Sequence, residues 1–170
     1  MSSAPAPQPA GEAFFKELLW VHRMVRRDLA TVRELATDTA NGDASAAEVR
    51  DGIQSLKTNG PLWKLKVNCL RYCGFVHSHH NAEDVMLFPA LRAANPELGP
   101  VVDRLEADHR LVSDLLDEVE ASAGALGDGS GEDERARVDL ALEGLAGHLL
   151  EHLDFEEENI AETLRSMSHF

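Results

Sequence analysis

The feature that most constrains this chain is apolar residues recurring at helical spacing through four long stretches, each with a histidine inside its apolar stripe. A helix advances about 100° per residue, so positions i and i+4 fall about 40° apart on one face. On that basis His22 shares a stripe with Phe15, Leu18, Val25 and Leu29. His79 falls with Phe75, Val76 and Met86, and His109 with Val102, Leu105, Val112 and Leu116. His152 falls with Leu145, Leu149 and Phe155. Two of these histidines carry a glutamate one turn on, Glu83 after His79 and Glu156 after His152.

Turn-forming clusters set the boundaries of the helices. The first is expected from Glu12 to Ala40, stopping at Asn41-Gly42-Asp43. A short helix over 45–56 is expected in the connection that follows. The second long helix begins at Pro61, a good first-turn residue, and runs to about Leu87, where Pro89 kinks or ends it. The third spans Pro100 to Ser122 and the fourth Glu134 to Met167, separated by a loop with four glycines. No stretch alternates as a strand would. The spacing therefore predicts an all-α, antiparallel up-down four-helix bundle with a longer first connection. Residues 1–11 read as a Pro/Ala-rich disordered tail and 12–168 as one domain.

Composition agrees and excludes several functions. The 170 residues are 44% hydrophobic but only 5% aromatic, a mix suited to long helices. A net charge of −14 argues against a nucleic-acid surface, which needs clustered Lys and Arg. No apolar run approaches the roughly 20 residues of a membrane span, and the N-terminus lacks the pattern of a signal peptide. Two cysteines, Cys69 and Cys73, give no disulfide framework, so a reducing cytoplasm is the expected setting.

Burying Glu83 and Glu156 among apolar side chains is costly unless another charge or a metal offsets them. Arg26 only borders the core face of the first helix. A single histidine on an apolar face is ordinarily a hydrogen-bonded core residue. Two H-x-x-x-E pairs, with a lone stripe histidine on each remaining helix, are much harder to reach by chance. A pair of metal ions would offset both carboxylates and use all four imidazoles, and such nitrogen and oxygen donors suit iron or manganese. Of the other histidines, His77 is expected to face solvent, His80 to sit at a flank in a structural role, and His169 to lie in the terminal residues. His148, one turn before His152, stands open as ligand, outer partner or exposed residue.

Two other metal patterns compete. Residues 148–152 read HLLEH, the H-x-x-E-H zinc-peptidase pattern, but only 18 residues follow His152 and no distant carboxylate ligand is available there. A ferritin-type site needs two E-x-x-H pairs, and only Glu106 with His109 fits.

The segments around these residues carry a family resemblance: ELLWVHRMVRRDL, HNAEDVMLFPAL after His79, EADHRLVSDLLDEV and EHLDFEEEN. Across about residues 12–165 the chain resembles the hemerythrin-like, or HHE cation-binding, family. The resemblance implies two non-haem iron ions, oxo- or hydroxo-bridged, held by His22, His79, Glu83, His109, His152 and Glu156, with both glutamates bridging. It implies binding of O2 or a related small oxidant, peroxide or nitric oxide, in oxidative or nitrosative stress handling or sensing. A peroxide-decomposing enzyme and an iron-donating or iron–sulfur repair protein are the alternatives, and a protein partner is compatible with any of them.

One position departs from the family's oxygen carriers, which have an H-x-x-x-H pair on the third helix. Here Ser113 follows His109 by four. Fewer protein ligands leave more open metal positions, which favours reaction over storage. Tyr72, about 20° from His79 on the wheel, stands open as a ligand, a hydrogen-bond donor to bound oxygen, a lining residue or a core residue. Cys69 and Cys73 stand open as a redox pair, nitric-oxide-reactive thiols or packing residues, though an i, i+4 pair suits a disulfide poorly.

Overall fold

Helix α1, Ala10–Ala40, buries Phe15, Leu18, His22, Val25, Leu29, Val32, Ala36 and Thr39, at alternating steps of three and four. Such a step keeps one stripe turned inward along a gently supercoiled bundle. The computed structural model describes residues 9–40, 60–127 and 129–169 of the chain. The short helix expected over 45–56 lies outside the described residues. Helix α2, Pro61–Ala82, passes through a π-helical turn, Glu83–Leu87, into α3, Phe88–Ala94. A 3-10 turn, Pro96–Leu98, leads to α4, Gly99–Gly124, and α5 spans Glu132–Ser166. Among the described residues there is no strand.

Contacts between neighbours give the direction of each helix. At one end of the α1–α5 pair the Gly11 N–H donates to the Met167 carbonyl at 3.0 Å. Arg33 forks onto Glu143 further along, and the Thr37 hydroxyl donates to Asp139 at 3.0 Å. Tyr72 reaches Val25 while His79 meets His22, so α2 runs against α1. His77 lies beside Asp117 and Asp84 beside His109, so α4 runs against α2. Arg104 pairs with Glu151 and Leu115 packs beside Gly144, so α5 runs against α4. The bundle is therefore up-down-up-down. The helix begins two residues earlier than expected because α1 docks tightly on α5. A Cβ on Gly11 would lie 1.8 Å from the Leu164 carbonyl oxygen, so only glycine fits there.

The second helix settles one alternative and corrects one expectation. Pro89 does not end it. With no N–H and a ring that would crowd the carbonyl four residues back, Pro89 is accommodated after a wider turn, in which the Phe88 N–H donates to the Glu83 carbonyl. The buried face is also rotated. Leu65, Cys69, Tyr72, Cys73, Val76 and His80 are all buried, so the stripe is centred between His79 and His80. Phe75 and Met86, expected beside His79, are 38% and 59% exposed, and Leu87 is buried instead.

The core forms two apolar clusters along the bundle axis. One joins Val25, Leu29, Tyr72, Val112, Leu116, Leu145 and Leu149, among others. The other joins Phe15, Leu18, Leu87, Phe88, Leu105 and Ile160. A layer of buried histidines and glutamates lies between them. Each fully buried leucine contributes about 1.5–3 kcal/mol, so apolar packing above and below holds that polar layer in place.

Candidate metal centre

Every long helix contributes to the polar layer. His22 comes from α1, His79 and His80 from α2, and Glu83 from the first position of the π turn. His109 comes from α4, and His152 and Glu156 from α5. His22 and Glu156 have no solvent exposure, and His152, Glu83, His109 and His80 have at most 5%. Turns of this wider kind recur at functional sites because they re-aim a side chain within an otherwise regular helix.

The Glu83 carboxylate divides its oxygens between two groups of imidazoles. Its Oε1 lies 3.0 Å from His79 Nε2 and 3.7 Å from His22 Nε2. Its Oε2 lies 3.2 Å from His109 Nε2. Glu156 also lies between the groups, but through one oxygen, its Oε2 being 3.6 Å from both His22 Nε2 and His152 Nε2. The ligating atoms of His22, His79 and Glu83 lie within 4.8 Å of one another, as do those of His80, Glu83, His109 and His152.

Several of these donor atoms have no hydrogen-bond partner. The Nε2 atoms of His22, His79 and His80 and all four oxygens of Glu83 and Glu156 are buried and unpaired. Buried polar atoms are almost always satisfied, so a cluster of exceptions needs an explanation. Electrostatics deepens it. Burial lowers His79 to about 3, His109 to about 2 and His152 to about 4, and lowers His80 as well. These rings are therefore neutral at pH 7 and cannot offset the glutamates. Burial raises Glu156 to about 8 and raises Glu83 too, Glu156 adding to the latter by repulsion. Buried imidazole nitrogens and carboxyl oxygens left without partners, converging from four helices, make a good cation cage. The residues fit a metal pair.

A second ring of carboxylates fixes how the imidazoles present their lone pairs. His22 Nδ1 is 2.9 Å from Glu157 Oε1, which also accepts from Arg26 Nη1 at 2.7 Å. Arg26 in turn donates to Asp154 at 2.7 Å. Burial opposes ionisation of Glu157, but the hydrogen bonds from His22 and Arg26 hold it down at about 2. Asp84 Oδ1 sits 2.8 Å from His109 Nδ1, and Asp108 Oδ2 sits 3.6 Å from His152 Nδ1. A neutral imidazole has one N–H, so giving it to a carboxylate at Nδ1 leaves Nε2 as a lone pair. For His109 that lone pair converges on His152 Nε2 at 3.1 Å.

The remaining sequence candidates separate clearly. His80, expected at a flank, is inside the layer, its ring stacked on His109 at 3.9 Å. His148 is exposed and lines a small cleft with Asp108, Leu111, Val112, Glu151 and His152. His77 lies at the outer surface beside Asp117 and Glu120. Tyr72 spends its hydroxyl on the Val25 carbonyl at 3.2 Å, the core role among those left open. Cys69 and Cys73 are buried, and burial pushes both thiols up to about 12. They are packing groups rather than reactive thiolates. The Nδ1 partners Glu157, Asp84 and Asp108 were not singled out from sequence. Their only signal is position, one residue after or before a candidate ligand.

Four antiparallel helices with imidazoles and carboxylates in a buried middle layer define a helical cation-binding bundle. The model of the hemerythrin HHE cation binding domain matches residues 14–164, and the chain belongs to that family. No curated protein and no solved structure matches it. No helix among the described residues is long and apolar enough to cross a membrane.

Proposed function

We propose that the chain is a di-iron protein that binds a small oxidant, O2, peroxide or nitric oxide, at the centre of its bundle. His22 and His79 would hold one ion, His109 and His152 the other, with Glu83 and Glu156 between them. The observation that carries this is the division of the Glu83 oxygens between two imidazole groups. A single ion would draw both groups to one point, whereas a bridging carboxylate needs two. Iron supplies redox chemistry and exchangeable positions when bound. The chain's own contribution is to orient and to exclude. Glu157 and Asp84 hold protons at the Nδ1 atoms of His22 and His109, and the apolar clusters on either side keep bulk water out.

A second reading, turnover of peroxide, is favoured by the cleft lined by Asp108, His148 and Glu151, which reaches His152. Its polar walls suit a small hydrogen-bonding molecule better than O2. The test is metal analysis of protein made without a histidine tag, with an optical spectrum recorded in air and after peroxide. Two irons per chain with a near-ultraviolet charge-transfer band is the expected result. Well under one metal per chain, with Glu83→Ala/Glu156→Ala folding normally, would overturn the di-iron reading. Oxygen release from peroxide separates the enzyme from the carrier.

A further inference from the structure

The geometry points to a second cation site, for zinc or a similar divalent ion, on the outside of the bundle where α2 meets α4. Its donors are His77 from α2 and Asp117 and Glu120 from α4. The site shares no residue with the central layer and does not depend on what that layer binds. The ligating atoms of the three residues lie within 4.8 Å of one another. His77 Nε2 is 3.4 Å from Asp117 Oδ1 and 3.7 Å from Glu120 Oε1.

The competing role is a surface ion pair. Such a pair closes to hydrogen-bond distance, about 2.7–2.9 Å when charge assists it. The other outward-facing imidazole nitrogens of this bundle do so: His22 Nδ1 stands 2.9 Å from Glu157 and His109 Nδ1 2.8 Å from Asp84. His77 instead stands off from both carboxylates and faces them with one nitrogen. In a tetrahedral zinc site with bonds of about 2.0–2.2 Å, neighbouring donor atoms are about 3.3–3.6 Å apart. The separations around His77 are close to that edge length.

Charge favours the same reading. Asp117 and Glu120 are one turn apart on one helix, where like charges repel. The segments that carry the three residues, 72–91 and 111–134, contain no Lys or Arg. Among the described residues neither acid has an ion-pair partner besides His77. Acidic pairs are commonplace on exposed helices. This one differs in having an imidazole from a second helix at coordination distance from both oxygens. One nitrogen and two oxygens suit a borderline divalent ion, and zinc binds such donors more tightly than manganese or iron(II). Three protein donors leave a fourth position for water. The side chains of His77 and Glu120 are only 32% and 37% exposed, so the ion sits in the seam and ties α2 to α4 one turn from the central layer.

The test is dialysis of the full chain, made without a histidine tag, against zinc buffered at about 1 μM free ion, followed by elemental analysis. Asp117→Asn/Glu120→Gln should hold one zinc fewer per chain than the wild type, with helix content unchanged by circular dichroism. His77→Gln should bind that zinc at least about tenfold more weakly, since loss of even an outer partner costs 10–100-fold. Glu118→Gln, exposed on the same helix, should keep the wild-type count. Equal zinc in the wild type and the first two variants overturns the external site. So does an equal loss in Glu118→Gln, which would mark diffuse attraction to an acidic surface. If either site variant fails to fold, an anomalous map at the zinc edge from wild-type crystals decides. A peak among the three donors is expected, and zinc found only elsewhere overturns the site.

Discussion

Glu156 is fully buried, and burial raises its carboxyl from 4.5 to about 8, which makes it a liability in the metal-free protein. A raised folded-state pKa contributes stability that is fully present below about 4.5 and lost as pH rises toward 8. At pH 7 the folded carboxyl must hold a proton that the unfolded chain has released. Across the interval from 4.5 to 7, at 1.36 kcal/mol per unit, this costs about 3 kcal/mol. Leucine is of similar size and carries no charge, so Glu156→Leu should stabilise the metal-free bundle by about 3 kcal/mol at pH 7. The gain should shrink toward zero near pH 4.5. Urea unfolding of chelator-treated protein reads it as a midpoint about 1–2 M higher at pH 7, given ordinary slopes. The same variant should lose metal. A midpoint unchanged or lowered at pH 7, with no dependence of the difference on pH, would refute the reasoning, because Glu156 would then not be an uncompensated buried acid.

Other outcomes follow from the same geometry. Burial lowers His79, His109 and His152 from 6.5 to between about 2 and 4, so the metal-free protein should lose stability as pH falls below about 6.5. Thermal melts of chelator-treated protein from pH 7 to pH 4 check this. Glu157→Gln should weaken metal binding 10–100-fold by freeing the His22 ring while leaving the helix content intact, read by metal titration and circular dichroism. Tyr72→Phe should cost about 1 kcal/mol of stability through the lost bond to Val25 and leave metal content and spectrum unchanged. A changed spectrum would return Tyr72 to the centre.

Much of this protein was legible in its sequence because helices bury one stripe and the stripes are written at helical spacing. His22, His109 and His152 lie where their neighbours put them, and all three are buried. The i+4 spacing placed Glu83 and Glu156 beside their histidines and in the core. The same rule, applied with His79 as the centre of its face, misplaced Phe75, Met86 and His80. The signal was present in Leu65, Cys69, Cys73 and Val76, whose mean direction falls past His79 toward His80.

What only the tertiary structure decided is how the four stripes meet. The outer carboxylates Glu157, Asp84 and Asp108 look like surface charges in an acidic chain. They become imidazole partners only when a neighbouring helix presents its ring. The π turn arises where Pro89 meets a tightly packed core, which no local preference dictates. Helical period fixes which residues of one helix point inward. Which inward atoms then converge, such as the two oxygens of Glu83 on separate imidazole groups, depends on the axial register between helices.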